Sequence, residues 1–297
     1  MPGFDRKPNL RTVRINLIII RLHGCSNERG TEFPMDENSG YILEDEDHEV
    51  ELSSWDEFHQ RVRSLKSKRG YVWRGQKEDL PLLSSFDREF KSKNQLYRAK
   101  KLKRHLDKFK EEMDKSYPNV LSLHKDAIWA LGQHYGLKTH LLDWTLSPYI
   151  AAYFAFIKRN DPYDQNDRYR YVYALNRSLE RLILKQKKAS KILPPIRSVL
   201  FIDRLPYPNP RFTAQKGIFT EVFHGNDIWK YVQSFSKKKR PSEELIVKFK
   251  IPTKDREECL RELYLMNIDH TSLLLDLRDV IKSCNDQLKR RFPADGR

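Results

Sequence analysis

The stretch GQHYGLKTHLLDWTLSPYIAAYFA, residues 132–155, decides how this chain reads. Within it the local signals change three times. Gly136 ends a helix expected over 119–136, and Leu141-Leu142 forms a short apolar run. Ser147-Pro148 then opens a second helix, with Ser147 as cap and Pro148 at its first position. Gln133, His134, Thr139 and Asp143 lie close to Leu-Leu and Ala-Ala, which an ordinary core does not require. A buried polar group left unpaired costs about 1–3 kcal/mol, so a site or a fixed hydrogen-bond network is expected here.

Upstream, Tyr71-Val72-Trp73 reads as a short strand running into Arg74-Gly75-Gln76. An always-charged, bidentate Arg followed by Gly at a strand end suits a phosphate or carboxylate that approaches the backbone closely. Ser53 or Ser54 caps a helix through Leu65, whose Trp55, Phe58, Val62 and Leu65 share one face. Further strands are expected at 13–22, 169–175, 198–202, 218–223 and 245–251, and two closing helices within 255–291. Lys185–Lys191 and Lys237–Arg240 read as exposed basic loops. Because strands and helices do not alternate regularly, the fold class is α+β rather than a doubly wound sheet. An N-terminal strand with an acidic extension (1–52) is expected before one compact domain (53–291).

Charge points to the partner. The formal net charge is +15, yet Asp36 to Glu51 holds eight acids and no Lys or Arg, which leaves +23 on the rest. That acidic run reads as a loop or lid. Between Lys91 and Lys110 nine basic residues face one acid, Asp107. With Leu96, Leu102, Leu106 and Phe109 as an apolar stripe, this is an amphipathic basic helix, and Lys100, Lys101, Lys103 and Arg104 are its expected phosphate contacts. Such an excess attracts polyanions, of which nucleic acid is the commonest.

Several classes drop out. Fifteen Phe, fourteen Tyr and five Trp are too many for a disordered chain. Cys25, Cys259 and Cys284 form no CxxC pair, so a zinc ribbon or disulfide scaffold is not expected. The apolar run Ile15–Ile20 is too short to span a membrane and lacks a signal-peptide cleavage site; a cytoplasmic protein is expected. There is no P-loop, GxGxxG, HExxH or GxSxG motif. His134, His140 and Asp143 have metal-ligand residue types, but they fall on unrelated elements, and no metal is expected.

The chain resembles the FRG domain family, from about residue 53 to 285. The matching pieces are Trp73-Arg74-Gly75-Gln76, Gln133-His134-Tyr135-Gly136, Thr139, Leu141–Thr145, Ser147-Pro148 and Ala151–Ala155. Asn209-Pro210-Arg211 with Gln215, Gly217 and Phe219 follows, then Leu260 through Ile268 to Leu277. The arrangement is also similar to ADP-ribosyltransferases of the Arg-Ser-Glu class. That resemblance implies a mixed, mainly antiparallel split sheet flanked by helices, with NAD as co-substrate. It implies a cofactor-binding set of Arg74, Gly75, Gln76, His134, Thr139, Trp144, Thr145 and Tyr153. Arg74 would pair with the NAD diphosphate, Thr145 would bond the nicotinamide ribose or orient a catalytic group, and Tyr153 or Trp144 would stack on nicotinamide. That class ends in a catalytic Glu. Here Asp143, Gln215 and Glu221 are the candidates for its place. Arg211 joins the expected nucleic-acid contacts. The expected activity is ADP-ribose transfer to a nucleic acid, single-stranded RNA favoured, by a toxin held by an antitoxin or acting in phage defence. The alternatives are a non-catalytic nucleotide- or nucleic-acid-binding module and a metal-dependent nuclease.

Overall fold

A computed structural model describes residues 48–66, 70–116, 125–158, 167–189, 199–202, 210–222, 227–239, 244–273 and 281. All belong to the second of two units, Met1–Asp45 and Glu46–Arg297. The strand expected over 13–22 lies outside the described residues.

Seven strands form one mixed sheet: β1 (Glu49–Glu51), β2 (Tyr71–Gln76), β3 (Leu141–Thr145), β4 (Tyr169–Asn176), β5 (Val199–Ile202), β6 (Gly217–Val222) and β7 (Ile246–Pro252). Their order is β1-β7-β4-β2-β3-β6-β5. The β1–β7 pair is parallel and every other pairing is antiparallel. Ten helices accompany the sheet among the described residues, which makes the fold α+β. They are α1 (Trp55–Lys66), α2 (Ser85–Glu89), α3 (Gln95–Ser116), α4 (Lys125–His134), α5 (Pro148–Phe156), α6 (Ser178–Ala189), α7 (Pro210–Ala214), α8 (Ile228–Lys239), α9 (Arg256–Leu265) and α10 (His270–Leu273).

Side chains alternate across each strand, so the sheet buries both faces. On one face Trp73, Val172, Ala174 and Phe249 pack under Trp55, Phe58 and Val62 of α1, all of α5, and Cys259 and Leu263 of α9. Farther along that face, Leu141, Phe219 and Ile202 meet Leu106 of α3 and Ile128 and Trp129 of α4. The opposite face carries Val72, Leu142, Trp144, Tyr173, Leu175 and Ile218, covered by Leu179 and Ile183 of α6 and Ile228 and Val232 of α8.

Capping sets the helix starts. The Ser54 hydroxyl accepts from the Glu57 N–H at 3.2 Å, and Ser147 accepts from Ile150 at 3.3 Å with Pro148 behind it. Helix α5 is apolar all round because it is buried all round.

Four expectations are corrected. The end of the acidic run is not loop but β1: Glu49 reaches Lys248 and Lys250 of β7, both at 2.6 Å. The basic stretches near 185–191 and 237–240 continue helices as far as Ala189 and Lys239, where cations complement the C-terminal end of the helix dipole. The basic helix begins at Gln95 and runs to Ser116. Leu141-Leu142 is the start of a strand that continues to Thr145.

Candidate functional site

Strands β2 and β3 are joined by one residue pair, Trp73 opposite Thr145. Arg74 follows on the face opposite Trp73 and reaches across the widening gap. Its Nη1 donates to the Asp143 carbonyl at 2.7 Å, and its Nε approaches the Gln76 side-chain oxygen at 3.4 Å. Gln76 in turn donates to the Leu80 carbonyl at 2.8 Å, which draws the next loop against the strand end. A guanidinium has five N–H donors. Two are used here among the described residues, and no carboxylate oxygen lies within 4.0 Å. Desolvation lowers the Arg74 pKa; the Asp143 charge counters this and the Arg88 charge adds to it. The group nevertheless remains a cation.

Asp143 is exposed and its carboxylate is held from below. Oδ1 accepts from Gln133 Nε2 at 2.7 Å, and the Gln133 oxygen accepts from the Thr139 hydroxyl. Thr139 is fully buried, and its N–H donates to Ser85 Oγ at 3.0 Å while its carbonyl accepts from the Phe86 N–H at 3.0 Å. A chain of hydrogen bonds therefore runs from α2 through Thr139 and the end of α4 to Asp143, whose own carbonyl anchors Arg74. Its Oδ2 faces solvent with no protein donor among the described residues. Opposite Phe219, the Asp143 carboxylate projects to the Leu141 side of the sheet and the Arg74 fork to the Tyr173 side, so the strand-end gap between β2 and β3 has an anion-seeking fork on one side and a hydroxyl-accepting carboxylate on the other.

A family model for the FRG domain matches residues 69–164. The chain carries an FRG domain. No curated protein and no solved structure matches it. Arg74, Gln76, Gln133, Thr139 and Asp143 all lie inside the matched segment.

Other expected site residues of the FRG domain support the fold rather than line the cluster. A Cβ on Gly75 would stand 1.8 Å from the Ala151 carbonyl oxygen, so this glycine admits α5, not a ligand. Trp144 is buried with its Nε1 on Thr220 Oγ1 at 2.8 Å, and Tyr153 is buried beneath the sheet, so neither presents a ring for stacking. Thr145 is also buried; its hydroxyl donates to the Gln215 carbonyl at 2.7 Å and accepts from the Ser147 N–H at 3.1 Å. His134 is half-buried, edge-on to Tyr135.

Beyond the matched segment, the Gln215 amide donates to the Leu273 carbonyl at 3.0 Å and ties the turn between α7 and β6 to α10. Glu221 sits opposite Leu141 and so faces away from Arg74, with its carboxylate 2.9 Å from His140 Nε2. It is not the carboxylate of the Arg74 cluster. His140 is thus engaged away from Asp143, and among the described residues no group of three His, Cys, Asp or Glu is gathered as for a metal. Lys100, Lys101, Lys103 and Arg104 are exposed on α3, and Arg211 is half-buried on α7. No described helix is long and apolar enough to cross a membrane. Sequence reasoning quoted Gln133 without giving it a role; its spacing of ten residues from Asp143 was the available signal.

Proposed function

We propose that this protein is an NAD-consuming ADP-ribosyltransferase that modifies a nucleic acid, single-stranded RNA by preference. One observation carries the reading: Asp143 anchors Arg74 through its carbonyl while its own carboxylate stays open to solvent. Arg74 then takes a phosphate of NAD with its remaining donors. Asp143 Oδ2 accepts from a hydroxyl of the nicotinamide ribose and stabilises the cation that develops there. The glycosidic bond to nicotinamide breaks and its electron pair leaves with nicotinamide. A lone pair on an unpaired base or a hydroxyl forms the new bond at the same carbon, and its proton passes to solvent. Unpaired strands expose such groups without extrusion from a duplex. The single pairing between β2 and β3 fits the split sheet of that enzyme class. Consumption of NAD and damage to RNA would harm the producing cell, which fits a toxin restrained by an antitoxin or released in phage defence.

A second reading is a nucleotide-binding module without catalysis. It is favoured by Gln215 standing in the matching place of the class's Glu, and by Glu221, six residues later, being turned to His140.

Incubation with NAD and RNA, DNA or protein, read by mass spectrometry, separates the two. Transfer should add one ADP-ribose and release nicotinamide. Asp143→Asn should abolish release while NAD binding persists, and Arg74→Ala should lose both. Binding without release in the wild type selects the second reading, and neither binding nor release overturns both.

A further inference from the structure

Tyr173 stands directly opposite Arg74 in the β2–β4 register, and Lys248 directly opposite Tyr173 in the β4–β7 register. All three side chains therefore share one face of the sheet, at strand spacings of about 4.8 Å. Asp79, in the loop after β2, reaches this row. Its Oδ1 accepts from the Tyr173 hydroxyl at 2.8 Å and its Oδ2 from Lys248 Nζ at 2.9 Å. The same loop is tied back to Arg74. The Gln76 side-chain oxygen accepts from Arg74 Nε at 3.4 Å, and the Gln76 amide donates at 2.8 Å to the carbonyl of Leu80, the residue after Asp79. Arg74, Gln76, the loop and Tyr173 thus close a ring of contacts. The Asp79 carboxylate lies on the guanidinium's side of the sheet and that of Asp143 on the other.

We infer that Asp79 is the ribose-recognising residue of the Arg74 face, accepting from both hydroxyls of the ribose whose phosphate Arg74 takes. Lys248 is 6% exposed and already has Glu49 at 2.6 Å, whereas the Asp79 side chain is 45% exposed. A mere counter-ion for a buried lysine would not need to stand open. A carboxylate has about four acceptor sites. Two are used among the described residues, and the others match the paired hydroxyls of a ribose, which carboxylates also hold in dinucleotide folds. Burial, and then the Asp79 charge, pushes the Tyr173 phenol up, so it stays a donor that aims the carboxylate. The surrounding charges disfavour a second phosphate at this point, because Glu49, Glu51 and Asp79 outnumber Lys248 and Lys250. The ligand class is therefore a ribonucleotide and not a deoxyribonucleotide. With Asp143 on the nicotinamide ribose, Asp79 takes the adenosine ribose. This assignment rests on the nucleotide reading of the Arg74–Asp143 site and adds the residue that selects the sugar.

Calorimetric titration of the full chain with ADP, 2′-deoxy-ADP and 2′,3′-dideoxy-ADP tests it. Affinity should fall at least about tenfold for each hydroxyl removed, the scale of a hydrogen bond to a charged group. Asp79→Asn keeps an oxygen for Tyr173 but loses the carboxylate, and should bind all three at the wild type's dideoxy level. Tyr173→Phe keeps the ring but no longer aims Asp79, and should narrow the steps. An Asp79→Asn variant that weakens all three ligands equally and keeps the steps has lost only structural support, which overturns the assignment. A wild type that binds the three alike overturns it too, and in both cases the nucleotide reading stands. No binding of any of the three by the wild type overturns the assignment and the nucleotide reading together.

Discussion

Gly75 and Arg74 are adjacent and have opposite duties. The missing side chain of Gly75 lets the backbone of α5 rest directly on β2, whereas Arg74 points to the other side of the sheet. Gly75→Ala forces a methyl group to within 1.8 Å of a main-chain oxygen, so the helix must move. A loss of about 3 kcal/mol or more is expected, at the upper end of overpacking effects, read as a lower urea midpoint. Arg74→Ala, which removes the bond to the Asp143 carbonyl, should lower that midpoint less, by about 1–2 kcal/mol. Equal midpoints for Gly75→Ala and the wild type would refute the packing role. At this scale the sequence was legible where chemistry is local. Arg74 at a strand end and Ser147 before Pro148 could be read from neighbours alone. The orientation of Trp144 and Glu221 could not, because it depends on which residues β6 places opposite β3.

The same limit governs the elements. Strand β1 was hidden inside an acidic run because its partner β7 lies about two hundred residues away in sequence, and only the lysines at 248 and 250 make acids there favourable. Burial works against the Glu49 charge, but hydrogen bonds and attraction from these lysines outweigh it and hold its pKa below the ordinary value. A depressed folded pKa gives stability that is full above the unfolded pKa and lost as pH falls through the folded one. Urea midpoints followed from about pH 6 down to about pH 3 should therefore decline more steeply in the wild type than in Glu49→Gln. Superimposable profiles would show that the pair contributes nothing to β1. Helix α3 was foreseen as basic, but its internal division was not. Lys108 and Lys115 pair with Glu111 and Glu112 near its end, while Lys100, Lys101, Lys103 and Arg104 have no carboxylate within 4.0 Å among the described residues.

For the whole molecule, that division decides where a polyanion docks. The net charge of +15 says only that one is attracted. Four exposed cations contacting four phosphates of a single strand should give a log–log salt slope of about −3. Replacing all four by Ala should remove most of it in a filter-binding series on single-stranded RNA. An unchanged slope would place binding elsewhere. The fold class and the Arg74–Asp143 neighbourhood were accessible from sequence; the layering of helices over both faces was not, since only the basic ends of α6 and α8 drew a reading, as loops, and their apolar stripes acquire meaning only against the sheet.

The lone pairing of Trp73 with Thr145 makes the sheet a garment closed by one button. Arg74 is the second fastening, and it clasps the same residue that would greet a visiting nucleotide. A guest held by both margins would sew the seam shut, so occupancy at this one point should be felt as stiffening far along β7 and β5 alike.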